Sequence, residues 1–175
     1  MKHRLGSGCS DDRCLNVLFL CTHNSARSIL AEATLNHLGG GRLRGHSAGS
    51  SPRPDQQPHP LALQALRLAG MPTQGLRSKA WEEFAQPDAP HMDLVITVCD
   101  NAAGETCPVW PGHPATAHWP YRDPSLVAGT PDRQLQAFSE TLAAIRRRIE
   151  VLLAVSWERI DRLEIQDQAR RLAGG

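Results

Sequence analysis

The chain is nearly without lysine: among 19 basic residues only Lys2 and Lys79 are lysines, the rest being arginine. These bases form no dense run, and 18 acidic residues leave a net charge of +1, so neither nucleic acid nor an anionic membrane is indicated as a partner. A long apolar run is missing too. The longest, around Val17–Leu20, is strand-sized, far short of the roughly 20 residues that span a bilayer. Met1–Asp12 lacks the apolar stretch of a secretory signal. No Cys-x2-Cys knuckle occurs, so Cys99, Cys107, His113 and His118 are not read as a zinc site, and no bound metal or cofactor is expected. There is no internal repeat. What these absences leave is a soluble cytoplasmic protein of one domain, 175 residues long. Its five cysteines are then more naturally catalytic groups or buried bystanders than structural disulfides.

The apolar residues fall in short blocks. Residues 1–14 mix glycine, serine and charge without periodicity, which predicts a disordered extension; the domain is expected over 15–155, and a helical tail over 156–175. Leu15–Leu20 reads as a strand buried on both faces, stopping at Cys21. Ser28–Leu38 has helical spacing and runs into Gly39-Gly40-Gly41. A short strand over Arg42–Ala48, a helix over Pro60–Leu68, a helical turn around Trp81–Phe84 and a buried strand over Asp93–Val98 follow. The Cys99–Pro114 loop is too rich in glycine and proline for regular structure, and Ala115–Trp119 reads as an edge strand. Thr130-Pro131 is an N-cap and first-turn pair opening a long helix through Phe138, Leu142, Ile145, Ile149 and Leu152. That helix is expected to break near Ala154–Ser156, before a helical stretch over Trp157–Leu172. Strands alternating with helices predict parallel strands in an α/β sandwich.

One segment carries chemistry. Cys21-Thr22-His23-Asn24-Ser25-Ala26-Arg27-Ser28 is a Cys-x5-Arg followed by serine, set between a buried strand and a helix start. A loop curling there aims successive N–H groups inward, and the helix N-terminus adds about half a positive charge. Arg27 can clasp two oxyanion oxygens with its planar fork. The same field favours thiolate over thiol, making Cys21 nucleophilic, with Ser28 as a hydrogen-bond donor to it. Cys-x5-Arg alone recurs by chance; its place between strand and helix gives it weight. His23 reads as a residue shaping the loop rather than as a base.

Leu18-Phe19-Leu20-Cys21-Thr22-His23-Asn24-Ser25-Ala26-Arg27-Ser28-Ile29-Leu30-Ala31-Glu32-Ala33 resembles the phosphate loop of the low-molecular-weight tyrosine phosphatases and their arsenate reductase relatives. His46-Ser47-Ala48-Gly49, Asp93–Cys99, and His118-Trp119 with Asp123-Pro124 resemble further blocks of that family, in its order, over about residues 15–150. The resemblance implies a three-layer sandwich with a four-stranded parallel sheet flanked by helices. It also implies Cys21 as nucleophile, Thr22, His23, Asn24, Ser25, Ala26, Arg27 and Ser28 as the oxyanion cradle, and Asp123 as general acid. Cys99 and Cys107, the latter followed by Pro108, resemble the redox pair of thioredoxin-coupled arsenate reductases, which implies arsenate as substrate and an external thiol reductant. Thioredoxin is the expected reductant, with glutaredoxin and glutathione as the alternative. Ser125-Leu126 after the Asp-Pro, where phosphatases tend to carry aromatics, favours the reductase, as does Ala26: phosphatases and some reductases carry a second loop cysteine there, and its replacement leaves Cys99 as the natural partner of Cys21. A non-enzymatic oxyanion sensor is the remaining alternative. Some relatives hold potassium at positions matching Asn24, Glu32 and Ser47; here Asn24 and Ser47 are expected only to brace the loop.

Overall fold

A computed structural model describes residues 14–100, 115–155 and 162–173. The expected extension apart from Cys14, the Cys107 loop over 101–114 and the start of the predicted tail lie outside them.

The most apolar run, Leu15–Cys21, forms β1 and takes an interior place in a four-stranded sheet of order β2-β1-β3-β4. Its neighbours are β2 (Leu43–Gly49) and β3 (Leu94–Thr97), and β4 (Ala115–His118) closes the far side. All pairings are parallel, with Leu20 opposite Ala48 on one side and Thr97 on the other. Burial on both faces is what the apolar run from Val17 to Cys21 requires.

Val17, Phe19 and Cys21 face the main core with α1 (Arg27–Leu38), α2 (Pro60–Leu68) and α3 (Pro131–Leu153). Leu18 and Leu20 face a smaller cluster with Ala48, Met92 and Val95, covered by Trp81 and Phe84 of a 3₁₀ turn, Trp81–Ala85. Among the described residues the α-helices share the first face, and the other is roofed by that turn. α3 buries Phe138, Leu142, Ile145, Ile149 and Leu152, a stripe at three- and four-residue steps. Thr130 caps it by accepting from the Arg133 N–H at 3.2 Å. The helix stops at Ala154, in the predicted break.

α4 (Arg162–Ala173) is polar in sequence yet docked: of the strands it packs chiefly on β4. Ala169 is fully buried, and its carbonyl accepts from the Trp119 indole N–H at 3.0 Å. On the opposite edge, the Asn36 side chain takes both backbone groups of Gly45 in β2, accepting from its N–H at 2.8 Å and donating to its carbonyl at 3.0 Å.

Candidate active site

β1 delivers Cys21 to the carboxyl edge of the sheet, and α1 begins six residues later at Arg27. The N-cap of α1 is Ala26, which has no side-chain oxygen to cap the helix, so its first-turn N–H groups have no side-chain acceptor there and face any ligand in the loop. Asn24 makes the turn, at φ 57°, a left-handed conformation that asparagine tolerates better than most residues. Its side chain is fully buried: Nδ2 donates to Ser28 Oγ at 2.7 Å and Oδ1 accepts from the Lys79 N–H at 3.0 Å. The Asn24 carbonyl accepts from Ser78 Oγ at 2.6 Å.

That bond to Asn24 fixes the chemistry of Ser28. Its oxygen already accepts, so its one proton is free for Cys21 Sγ, 2.9 Å away. The Asn24 backbone N–H donates to the same sulfur at 3.3 Å. Cys21 is 3% exposed and is the free cysteine among the described residues. Two donors on one sulfur suit a thiolate.

Gly49, at the end of β2, lets this loop close. A Cβ there would lie 2.7 Å from the Thr22 carbonyl oxygen and 2.9 Å from the His23 carbonyl carbon, closer than backbone atoms allow. The Ser51 and Ser50 N–H groups in turn donate to the Thr22 and Cys21 carbonyls. Ser25 is tied through its carbonyl to the His59 N–H at 2.8 Å, while Thr22 and His23 are half-buried on the loop.

Arg27 is 5% exposed. Its Nη1 donates to the Tyr121 carbonyl at 3.0 Å, and Nη2 lies 3.8 Å from Asp123 Oδ2. Asp123 caps the short 3₁₀ turn Pro124–Leu126, Oδ1 accepting from the Ser125 N–H and hydroxyl at 2.9 and 2.6 Å. The Arg27 guanidinium at the start of α1 thus meets the Asp123 carboxyl from the Pro124–Leu126 turn, and Cys21 stands at the end of β1, six residues before Arg27. Cys99, just past β3, is fully buried and disulfide-bonded, and its partner is not among the described residues; Cys107 is outside them. Cys14 is disulfide-bonded as well, where a reduced bystander was expected.

Lys79 is the site residue that sequence reasoning did not single out. Its ammonium lies 3.9 Å from Glu32 Oε1 and 3.4 Å from Ser47 Oγ and donates to the Arg77 carbonyl at 2.8 Å. Ser47 also donates to Glu32 Oε2 at 3.0 Å. A fixed ammonium already stands beside the groups that would hold potassium, so these residues do not fit that ion. Burial pushes the Glu32 carboxyl up and the Lys79 ammonium down, in each case outweighing the attraction of the other. The signal in the sequence was the rarity of lysine; the contact with Glu32 was not readable.

Comparison with known proteins gives a consistent picture. Residues 16–166 match the profile of the family described as low molecular weight phosphotyrosine protein phosphatase. A protein named arsenate reductase from Bacillus licheniformis is 34% identical over 135 residues, covering 77% of this chain and 91% of its own. The crystal structure of an arsenate reductase from Archaeoglobus fulgidus superposes with a TM-score of 0.62 at 27% identity, over 79% of this chain and 99% of the other. A Corynebacterium glutamicum protein described as a thioredoxin-dependent arsenate reductase matches with a TM-score of 0.51 at 26% identity, over 80% of this chain and 64% of its own.

Proposed function

We propose, from the premise that this chain belongs to the low-molecular-weight phosphotyrosine protein phosphatase family, that it is an arsenate reductase using Cys21 as nucleophile and Cys99 and Cys107 as a redox relay. The observation that carries the reading is a free Cys21 at the end of β1 with an oxidised Cys99 just past the neighbouring strand β3. A phosphatase hydrolyses its covalent adduct with water and has no use for a second sulfur. The names of the relatives at 27–34% identity point the same way.

Arsenate enters as a tetrahedral oxyanion held by the loop N–H groups and the Arg27 fork. The Cys21 thiolate forms a bond to arsenic as one oxygen departs, and Asp123 supplies a proton so that it leaves as water. Cys99 thiolate then attacks Cys21. The sulfur–arsenic bond breaks, its electron pair stays on arsenic, arsenic(V) becomes arsenite, and a Cys21–Cys99 disulfide forms. Cys107 thiolate attacks Cys99, releasing Cys21 as thiolate and leaving Cys99–Cys107 for an external dithiol to reduce. Thioredoxin is the reductant this relay suits; glutaredoxin with glutathione is the alternative.

The test is arsenate-dependent NADPH oxidation with thioredoxin and glutaredoxin systems side by side. Cys21→Ser should abolish turnover, and Asp123→Asn should slow the first step about 10²–10⁴-fold while arsenate still binds. Cys107→Ser should trap a Cys21–Cys99 disulfide, visible by peptide mapping. Normal turnover of Cys107→Ser with thioredoxin would remove the three-cysteine relay. Hydrolysis of aryl phosphates with no arsenate reduction by either system would make the protein a phosphatase.

A further inference from the structure

A second site lies where α4 closes against α3. A cavity of about 460 Å³ opens there beside the Pro120-Tyr121 segment, lined also by Arg147 and Arg148 of α3 and Arg171 of α4. Beside it, two buried atoms make no hydrogen bond of good geometry among the described residues: the Tyr121 hydroxyl, in a residue only 9% exposed, and Nη1 of the half-buried Arg148, which stand close to each other. The Arg148 guanidinium sits over the Tyr121 ring, 4.9 Å from its centroid. Arg171 is paired with Asp167 at 2.8 Å, but no ion pair to Arg147 or Arg148 is formed among the described residues.

Buried polar atoms are nearly always hydrogen-bonded, and an orphaned one in a native protein points to a missing partner. A guanidinium nitrogen can only donate, so the missing partner must bring acceptor oxygens. Three guanidinium groups around one opening require that partner to carry negative charge. The cavity falls within the roughly 300–1,000 Å³ of small-molecule sites, more than a single tetrahedral oxyanion would fill. We infer that this cavity binds a small organic anion bearing carboxylate or phosphate groups, met by the guanidinium groups of Arg147, Arg148 and Arg171 with Tyr121 in its wall. The site adjoins the cradle through Tyr121, whose carbonyl accepts from Arg27, but does not depend on the reaction there.

Tyr121 is the only tyrosine of the chain, so tyrosine labelled with ¹³C at Cζ gives one resonance that reports on this cavity. Citrate and pyrophosphate, titrated separately into the full-length protein, distinguish a carboxylate from a phosphate ligand. At least one should shift that resonance saturably at millimolar concentration or below. Arg147→Gln/Arg171→Gln changes two exposed side chains, preserves the melting temperature and leaves the cradle intact. It should weaken binding by at least about tenfold. No saturable shift with either probe, or equal affinity in the double variant, overturns the site; the second result would place the anion in the cradle.

Discussion

At the scale of single residues, Glu32 and Lys79 show a charge pair kept for position rather than for stability. Their side chains are 13% and 7% exposed. Each would be more stable neutral: the raised Glu32 pKa contributes stability that is lost as pH rises through it, and the lowered Lys79 pKa contributes stability that is lost as pH falls through it. Burial opposes the charged form of each, so the pair carries a desolvation cost that its mutual attraction only partly offsets. Lys79→Met should therefore destabilise by about 3–5 kcal/mol, since it strands a buried carboxylate. Glu32→Gln/Lys79→Met should recover most of that loss. Urea melts at neutral pH decide it; a double variant no more stable than the single would show that the pair itself stabilises. The cradle was legible because Cys21 to Ser28 are consecutive, whereas Lys79, whose backbone N–H holds Asn24 and whose ammonium meets Glu32 and Ser47, is distant from them in sequence.

Elements differed in legibility for a similar reason. β1 was plain because a strand buried on both faces must be apolar throughout, and Leu15–Cys21 is so except at Asn16. α3 was plain because only one stripe of it is buried. α1 has no such stripe: Arg27, Ser28 and Thr34 are buried with its leucines, so its place under α3 could not be read from periodicity. The roofing turn at Trp81–Ala85 left only a faint helical trace for the same reason, since none of its residues is fully buried. β2 carries a titratable group that should make the melting temperature depend on pH. Burial, helped by Arg44 and Lys79, pushes His46 down from 6.5 to about 4. It is held neutral, its Nε2 3.0 Å from Asn16 Oδ1 and its ring edge-on to Phe84. Because the folded pKa lies below the unfolded one, its contribution is complete above about pH 6.5 and is lost as pH falls toward 4. His46→Gln can still donate to Asn16 but does not titrate. Its melting temperature should decline less steeply than that of the wild type between those pH values; parallel curves would show that His46 is not the group responsible.

For the whole molecule, the fold class was legible from the alternation of strands and helices, whereas the docking of α4 was not. Its sequence is too polar to announce a buried face, and among the described residues it is held by the buried Ala169, whose carbonyl meets the Trp119 indole, and by Leu172 and Ala173 packed on the core. The same helix also bears on self-association. An open sheet has two outer strands whose unpaired N–H and C=O groups invite a strand from another molecule. On β2 that invitation is withdrawn by Asn36, whose amide imitates a neighbouring strand at Gly45, and by the Lys79 carbonyl, which accepts from the Gly49 N–H. At β4 the neighbour is α4, which packs on the strand and is tied to Trp119 just beyond it. Removing residues 156–175 should bare that strand together with Trp119, and light scattering should then rise with protein concentration while the full-length chain stays monodisperse. A truncated protein that remains monomeric at the same concentrations would mean that β4 is guarded without the helix. Among the described residues, each outer strand therefore has a neighbour that is not a strand: an asparagine side chain and a lysine carbonyl at β2, and a polar helix packed on β4.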